Sequence, residues 1–405
     1  MTKRVVITGL GVLSPIGSGK DRFWEGICSG AVGTGPVRTF DTALFDVHNG
    51  GEVKDANALD YISKLDPASI GRSTHLAIAA AKMAERDARL GEGGYEPWRI
   101  GVCFGTTMGN SSIIEDNTDL LVTEQRRASH ALWSNYPQHT ISSAVAEELE
   151  LEGPSMVVPT ACAAGNYAIS WGKELIEDGL ADAVIVGGSD AMSRACYTTF
   201  HRLGAIAPER CQPFDKNRKG MMVGEGAAAL ILEDYDRAVA RGATIYAELL
   251  GYGLSCDAHH ATAPHPEGLG AVLSMSRALN ASGLSPMQIS YISAHGTGTK
   301  ANDATESTAI RRMFGDNADQ VPISSIKAMM GHTMGAASAI EAVACALAIR
   351  HGVLPPTMNY SEPDPECVVN VVPNAAAQQP VRYALSNSFA FGGNISTIVM
   401  GEAVS

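Results

Sequence analysis

Short apolar runs alternate along the chain with longer alanine-rich stretches. In the first half Val5–Gly9, Arg99–Gly105, Ser155–Thr160 and Ala183–Gly187 have the length of buried strands, while Ser73–Leu90 and Ala163–Glu177 read as helices. The second half repeats the theme, with strand-like runs at Ala227–Glu233, Ile245–Leu254 and Ile289–Ala294 and helical ones at Gly268–Ser282 and Gly335–His351. Such alternation predicts a layered α/β protein. The midpoint falls between Tyr235 and Tyr246, so the pattern suggests two units, 1–240 and 241–405, with faint sequence similarity between them. Near the C-terminal end, Val381–Ser388 and Asn394–Met400 predict two strands around Phe389-Ala390-Phe391-Gly392-Gly393, a turn whose glycines let backbone amides approach a ligand. The one long irregular stretch runs from about Pro355 to Gln379.

Composition narrows the function. The 405 residues are 45% apolar and 18% charged, enough to bury a large core. A net charge of -13, with no basic run longer than Arg126-Arg127 or Arg218-Lys219, argues against nucleic acid and anionic membranes as partners. The eight cysteines include no Cys-x-x-Cys pair, which points to reduced thiols in the cytoplasm. Lys3-Arg4 precedes an apolar run that Gly9, Gly11 and Pro15 interrupt, so it reads as a first strand rather than a signal peptide. No segment approaches the roughly 18 consecutive apolar residues of a membrane span. Gly9-Leu10-Gly11 has Ser14 where a dinucleotide fingerprint needs its third glycine, and Gly19-Lys20 lacks the upstream glycine of a P-loop. His259, His260 and His265 lack the helical spacing and carboxylate of a metal site, so no metal is expected.

Three segments carry reactive side chains. Cys162, in Val-Val-Pro-Thr-Ala-Cys-Ala-Ala-Gly, follows a strand and opens a helix, where unpaired amides and the helix field lower a thiol pKa. A small inert core cysteine is the other reading. His295 ends a strand and leads into Gly296-Thr297-Gly298-Thr299, whose hydroxyls suit a polar substrate arm. His332 lies in the loop Gly331–Gly335, ahead of the helix that carries Glu341 and five residues after Lys327, which could pair with Glu341 and hold that loop. Singly each has a structural explanation. Together, a thiolate that attacks thioesters and two imidazoles that stabilise an enolate suggest carbon–carbon bond formation on thioesters.

With these motifs in order, the chain resembles the β-ketoacyl-acyl-carrier-protein synthases of the elongating type II class and their polyketide ketosynthase relatives. The likeness rests on Arg4-Val-Val-Ile-Thr-Gly-Leu-Gly, Thr160-Ala-Cys162, Pro213-Phe-Asp215 with Gly224-Glu-Gly226, His295-Gly-Thr-Gly-Thr299, Lys327 with Gly331-His332-Thr333, and Asn387-Ser-Phe-Ala-Phe-Gly-Gly393. It implies a thiolase-like fold of two similar α/β halves in a five-layer αβαβα arrangement, a cysteine-bearing first half, and a second half bearing both histidines. It implies that Cys162 takes the acyl chain from an acyl carrier protein and that the Cys162 and Phe391 amides form the oxyanion hole. His295 and His332 would promote decarboxylation of the malonyl thioester, with Lys327, Glu341 and Asp303 maintaining their geometry. Thr297 and Thr299 would contact the phosphopantetheine arm, Phe391 would gate the acyl passage, and Met108 would line the acyl tunnel. No cofactor beyond the carrier's phosphopantetheine is implied, and the assembly would be a homodimer or a heterodimer with a chain-length-factor-like subunit.

Several positions depart from that family's pattern. Ala390 and Asn394 flank the terminal Phe-Gly-Gly where glycine and threonine are common, Arg218-Lys-Gly-Met221 replaces Arg-Asp-Gly-Phe, and Ala163-Ala164 replaces small hydroxyl residues. These changes fall near the gate and leave chain length and pathway open, between fatty acid elongation and polyketide or polyene synthesis. A degradative thiolase would need a second cysteine in the terminal glycine turn, where Phe389 and Phe391 stand. A chain-length factor would lack Cys162. For docking an acidic carrier, Arg126, Arg127, Arg202 and Arg210 are the candidate basic patch.

Overall fold

The structure, a computed structural model, describes residues 3–404. Its first strand, Val5–Ser14, is buried at every position and lies under the alanine-rich helix Arg72–Ala88. Gly9 and Gly11 allow that contact, because a Cβ on them would sit 2.3 Å and 2.0 Å from the carbonyl oxygens of Ala84 and Ala80. The glycine pair thus serves packing. The second half repeats the device: Gly251 and Gly253 of strand Ala247–Cys256 admit helix Leu269–Ser282, and a Cβ on Gly253 would meet the Ser274 oxygen at 2.0 Å.

Topology makes the duplication plain. The main strands of the first half lie in the order Ser155–Val158, Ile100–Gly105, Ala183–Asp190, Gly226–Asp234, Val5–Ser14. Those of the second lie in the order Pro322–Ser324, Tyr291–Ser293, Tyr383–Phe389, Asn394–Gly401, Ala247–Cys256. Numbered by position along each half, both sheets read 3-2-4-5-1, with the first two pairings parallel and the last two antiparallel. The sheets join edge to edge where Val6 and Ile7 pair with Glu248 and Ala247.

Between the sheets run two central helices, Ala164–Glu177 and Ala337–His351. Arg72–Ala88 and Thr140–Leu149 cover the outer face of the first sheet, and Leu269–Ser282 and Lys300–Phe314 that of the second. The result is the expected five-layer thiolase-like arrangement. Met334–His351 is long and apolar enough to cross a membrane by length and composition, yet 89% of it is buried in the central layer, where both faces need apolar cover.

Boundaries differ from the sequence reading where a local rule intervenes. The predicted strand to Thr160 stops at Val158, since Pro159 has no N–H for a ladder. The helix expected from Gly335 begins at Ala337, after a tight turn at Met334–Ala336. Ser112–Glu124 and Arg194–Arg202 are helices that the apolar pattern did not announce, because both lie on the surface with few buried positions.

The central helices meet closely at Gly165, where a Cβ would sit 2.6 Å from Ala339 N and 2.7 Å from Ser338 Oγ. Gly165→Val should therefore lower stability by about 1–3 kcal/mol through overpacking. A thermal midpoint equal to that of the unaltered protein would show that the helices do not touch there.

Candidate active site

One tight turn, Ala161–Ala163, brings Cys162 from the strand end to the start of central helix Ala164–Glu177. Ala161 is held at φ 49, a left-handed conformation that costs a non-glycine residue about 1–2 kcal/mol. Ser388 Oγ donates to the Cys162 carbonyl oxygen at 2.8 Å, tying the turn to the C-terminal strand pair. The second half has the same layout. Met334, at φ 52, precedes helix Ala337–His351 by the same interval as Ala161 precedes Ala164. His332 and Lys327 lie in this second, equivalent connection, and His295 follows strand Tyr291–Ser293. Cys162, His295 and His332 converge on one cavity of about 250 Å³.

The histidines are fixed from behind. Nδ1 of His332 accepts the Met334 N–H at 3.2 Å, and Nδ1 of His295 faces Lys327 Nζ at 3.5 Å. Both Nδ1 atoms are therefore acceptors, which puts each ring proton on Nε2. The rings lie 5.5 Å apart, edge to face. Burial, and then the Lys327 charge, hold both imidazoles well below the ordinary histidine range. The site thus holds two neutral N–H donors side by side.

Lys327 is fully buried. Its ammonium donates to the His295 carbonyl oxygen at 2.7 Å and pairs with Glu341 on the central helix. Burial pushes the Glu341 carboxyl up to about 7, with Lys327 opposing.

For Cys162 the expectation of an acidified thiol is overturned. Burial pushes it up to about 12, against the pull of Lys327. Cys162 is therefore held as a thiol. Among the described residues, neither the Cys162 nor the Phe391 N–H donates to a backbone carbonyl oxygen outside its own turn.

Of the remaining predicted residues, Thr297 and Thr299 line the cavity with their hydroxyl oxygens 2.9 Å apart. Phe391 also lines it and packs on Phe200, ring centroids 5.6 Å apart. Asp303 touches neither imidazole. Its carboxylate accepts the N–H groups of Phe214 at 2.8 Å and Gly298 at 3.2 Å, bracing the glycine turn beyond His295. Met108 lies outside the cavity wall, half-buried against the cluster of Tyr197, Phe200 and Met334. His260 stands at the cavity rim, while His259 packs on His265. Ala390 is extended at φ -124 and needs no glycine, whereas Gly392 and Gly393 have φ 81 and 79. Met221, where family members have phenylalanine, lines the cavity.

Three supporting groups escaped the sequence reading. Glu306 accepts the His295 and Gly296 N–H groups, both at 2.8 Å, with burial pushing its carboxyl up to about 7. Arg218, fully buried, pairs with Asp364 and donates to the carbonyl oxygens of Thr299 and Lys300 at 3.3 and 3.1 Å. Asp190 joins the two halves beneath His332. A signal existed for Glu306, since Asp303 and Glu306 share one helix face just after a glycine turn whose amides need acceptors.

Comparison with known proteins places this arrangement. Residues 2–238 match the model of the β-ketoacyl synthase N-terminal domain, and residues 246–361 that of the C-terminal domain. The chain is 40% identical over 404 residues to 3-oxoacyl-[acyl-carrier-protein] synthase 2 of Synechocystis, covering 98% of this chain and 97% of the relative. Among solved structures, the ishigamide ketosynthase/chain length factor superposes with a TM-score of 0.97 at 41% identity, covering all of both chains. A type II polyketide acyl-carrier protein in complex with its ketosynthase bound to the hexaketide gives 0.92 at 32% identity, again over both full chains.

The neutral histidines generate a prediction. Their folded-state pKa is depressed, so they stabilise the fold above the unfolded value of about 6.5 and lose that contribution as pH falls toward the folded value. In spectra of ¹⁵N-histidine-labelled protein, both rings should remain neutral Nε2–H tautomers from pH 8 down to about 6, where an ordinary imidazole is mostly protonated. A titration midpoint near 6.5 at either ring would refute the assignment.

Proposed function

We propose that this chain, which belongs to the β-ketoacyl synthase family, is an acyltransferase that condenses an acyl group held on Cys162 with malonyl-acyl carrier protein. The products are carbon dioxide and a β-ketoacyl-acyl carrier protein. The observation that carries this reading is the pair of neutral imidazoles beside a buried cysteine, in one cavity that Phe391 also lines.

The geometry supports the following sequence of steps. Cys162 sulfur attacks the acyl thioester, the oxyanion is held by the Cys162 and Phe391 N–H groups, the carbon–sulfur bond to the carrier breaks, and the proton lost from the Cys162 thiol ends on the departing carrier thiol. Malonyl thioester then enters along Thr297 and Thr299. Its carbonyl oxygen accepts the Nε2–H groups of His295 and His332, which stabilise the enolate as the carboxylate departs as carbon dioxide. The enolate carbon attacks the acyl-Cys162 carbonyl and the cysteine sulfur leaves. Phosphopantetheine is the arm that carries the substrate, and the reaction requires no resident cofactor. The eight unpaired cysteines suit the cytoplasm.

Two partners follow. An acyl carrier protein is acidic in this family's reactions, and Arg126, Arg127, Arg202 and Arg210 are all exposed; Arg202 adjoins Leu203 on the cavity rim, while Arg126 pairs with Glu124 at 2.8 Å. The second partner is another chain of this fold. The first sheet ends in the short edge strand Ser155–Val158, and helix Ser112–Glu124 exposes Ile114, Leu121 and Val122. The likeness to a ketosynthase/chain length factor favours a heterodimer with such a subunit as the second reading beside a homodimer. Native mass of the protein expressed alone and with a chain-length-factor-like partner separates them.

Cys162→Ala should abolish acyl-enzyme formation, seen by intact mass, while leaving malonyl decarboxylation. His295→Ala should lower decarboxylation by about 10²–10³-fold, the usual loss of an oxyanion donor. A mass label on the Cys162→Ala protein would overturn the nucleophile assignment, and a panel of acyl-carrier thioesters on the unaltered protein reports the preferred chain. Reversing Arg126 and Arg127 to Glu should raise KM for the carrier several-fold with kcat unchanged; an unaltered KM removes both from the docking surface.

A further inference from the structure

Asp190 ends the buried strand Ala183–Asp190 and does not line the cavity. Its fully buried carboxylate is held by neutral donors. Oδ1 accepts Thr106 Oγ1 at 2.9 Å, Met108 N at 2.8 Å and Gly109 N at 3.2 Å, while Oδ2 accepts Thr107 N and Gly335 N, both at 2.7 Å. Four of these donors belong to one loop of the first half, Thr106–Gly109. The fifth, Gly335, belongs to the second half.

Gly335 directly follows Met334, whose N–H holds His332 Nδ1 and whose backbone is left-handed. A non-glycine residue keeps such a conformation only where its surroundings over-determine it. Two contacts do so: the Gly335 N–H ends on Asp190, and Gly335 packs so tightly on Thr106 that a Cβ would lie 2.6 Å from the Thr106 carbonyl carbon. An asparagine could not replace the carboxylate, because its amide group offers one oxygen to five donors and would point N–H groups at the rest.

We propose that Asp190 is a positioning residue for His332: through Gly335 it fixes the Met334 peptide and so aims the Nε2–H of His332 at the malonyl carbonyl. The same carboxylate anchors Thr106–Gly109, so this loop, which carries Met108, and the His332 turn share one anchor. The inference rests on the proposed role of His332 as a donor to the decarboxylating thioester.

The test compares Asp190→Asn with the unaltered protein in its native assembly. Decarboxylation of malonyl-acyl carrier protein should fall about 10–100-fold, the range for losing a group that orients a reacting residue. Acylation of Cys162, followed by intact mass, should stay within about twofold. In a His332→Ala background Asp190→Asn should add less than about twofold, since the residue it positions is gone. A fully additive loss, or unchanged decarboxylation in the single variant, overturns the proposal. Should Asp190→Asn not fold, Asp190→Glu displaces the carboxylate by one methylene and should slow decarboxylation about 3–10-fold with acylation preserved; an unchanged rate counts against positioning. If the unaltered protein does not decarboxylate malonyl thioesters, the proposed function fails on its own. Asp190 is then judged by ¹⁵N-histidine spectra: His332 should lose its fixed Nε2–H tautomer in Asp190→Asn, and a retained tautomer overturns the inference.

Discussion

The site depends on one buried positive charge. An ammonium removed from water costs several kcal/mol unless its donors are satisfied, and Lys327 satisfies its own by joining parts that the chain keeps far apart. It binds the carbonyl oxygen of His295 at the end of a sheet strand, faces the same residue's Nδ1, and pairs with Glu341 in the middle of the central helix. The charge then shapes the chemistry around it. It helps keep both imidazoles unprotonated and so able to donate from Nε2, and it opposes the desolvation that holds Cys162 as a thiol. The acids nearby are soft in the opposite sense: Glu341 and Glu306 are pushed up to about 7, so they bind more protons folded than unfolded below that pH and favour the fold as pH falls. Loss of Glu341 would leave the ammonium uncompensated, which is why so polar a group persists inside an otherwise apolar helix.

Duplication explains how one chain assembles such a site. Each half turns from its third strand into a central helix through a left-handed residue, Ala161 in one and Met334 in the other. Two equivalent connections therefore end in the same central layer. One delivers the nucleophile, and the other delivers Lys327 and His332. The chemistry of the two connections differs, and the second is longer by the short helix Lys327–Met330, while the strand order and the left-handed entry to the central helix are shared; the glycine pairs Gly9/Gly11 and Gly251/Gly253 are required because any Cβ there would collide with helix backbone.

This also explains what could be read from the sequence. Strands buried on both faces appear as continuous apolar runs, and the central and outer helices are alanine-rich because sheets close on them from short range. Cys162, His295 and His332 were legible because each stands beside a glycine- or alanine-rich turn, and Lys327 because it lies five residues before His332. Glu306 left a local hint in the helix face it shares with Asp303, but Asp190 and Arg218 were not legible, since a buried charge is recognised by its partners. Those partners lie at distances of chain that no local pattern spans: Asp190 reaches from the fourth strand to Gly335, and Arg218 from a loop to Asp364. The thiol pKa was misjudged for a related reason. Helix placement is visible in sequence, but the depth of burial that opposes it belongs to the assembled halves.

The terminal turn follows the same logic of shared constraints. Ala390 sits in extended conformation, so the methyl that replaces a hydrogen strains nothing in this arrangement, but it denies residue 390 the left-handed region. Any swing of Phe391 must then be absorbed by Gly392 and Gly393, which already occupy positive φ. Neither is free to turn alone: Gly392 donates to the Ala261 carbonyl oxygen at 2.8 Å, and the Gly393 carbonyl oxygen accepts the Asp257 N–H at 2.9 Å. The turn that carries Phe391, packed on Phe200, is thereby tied to the loop from Asp257 to Ala261, which carries part of the cavity wall.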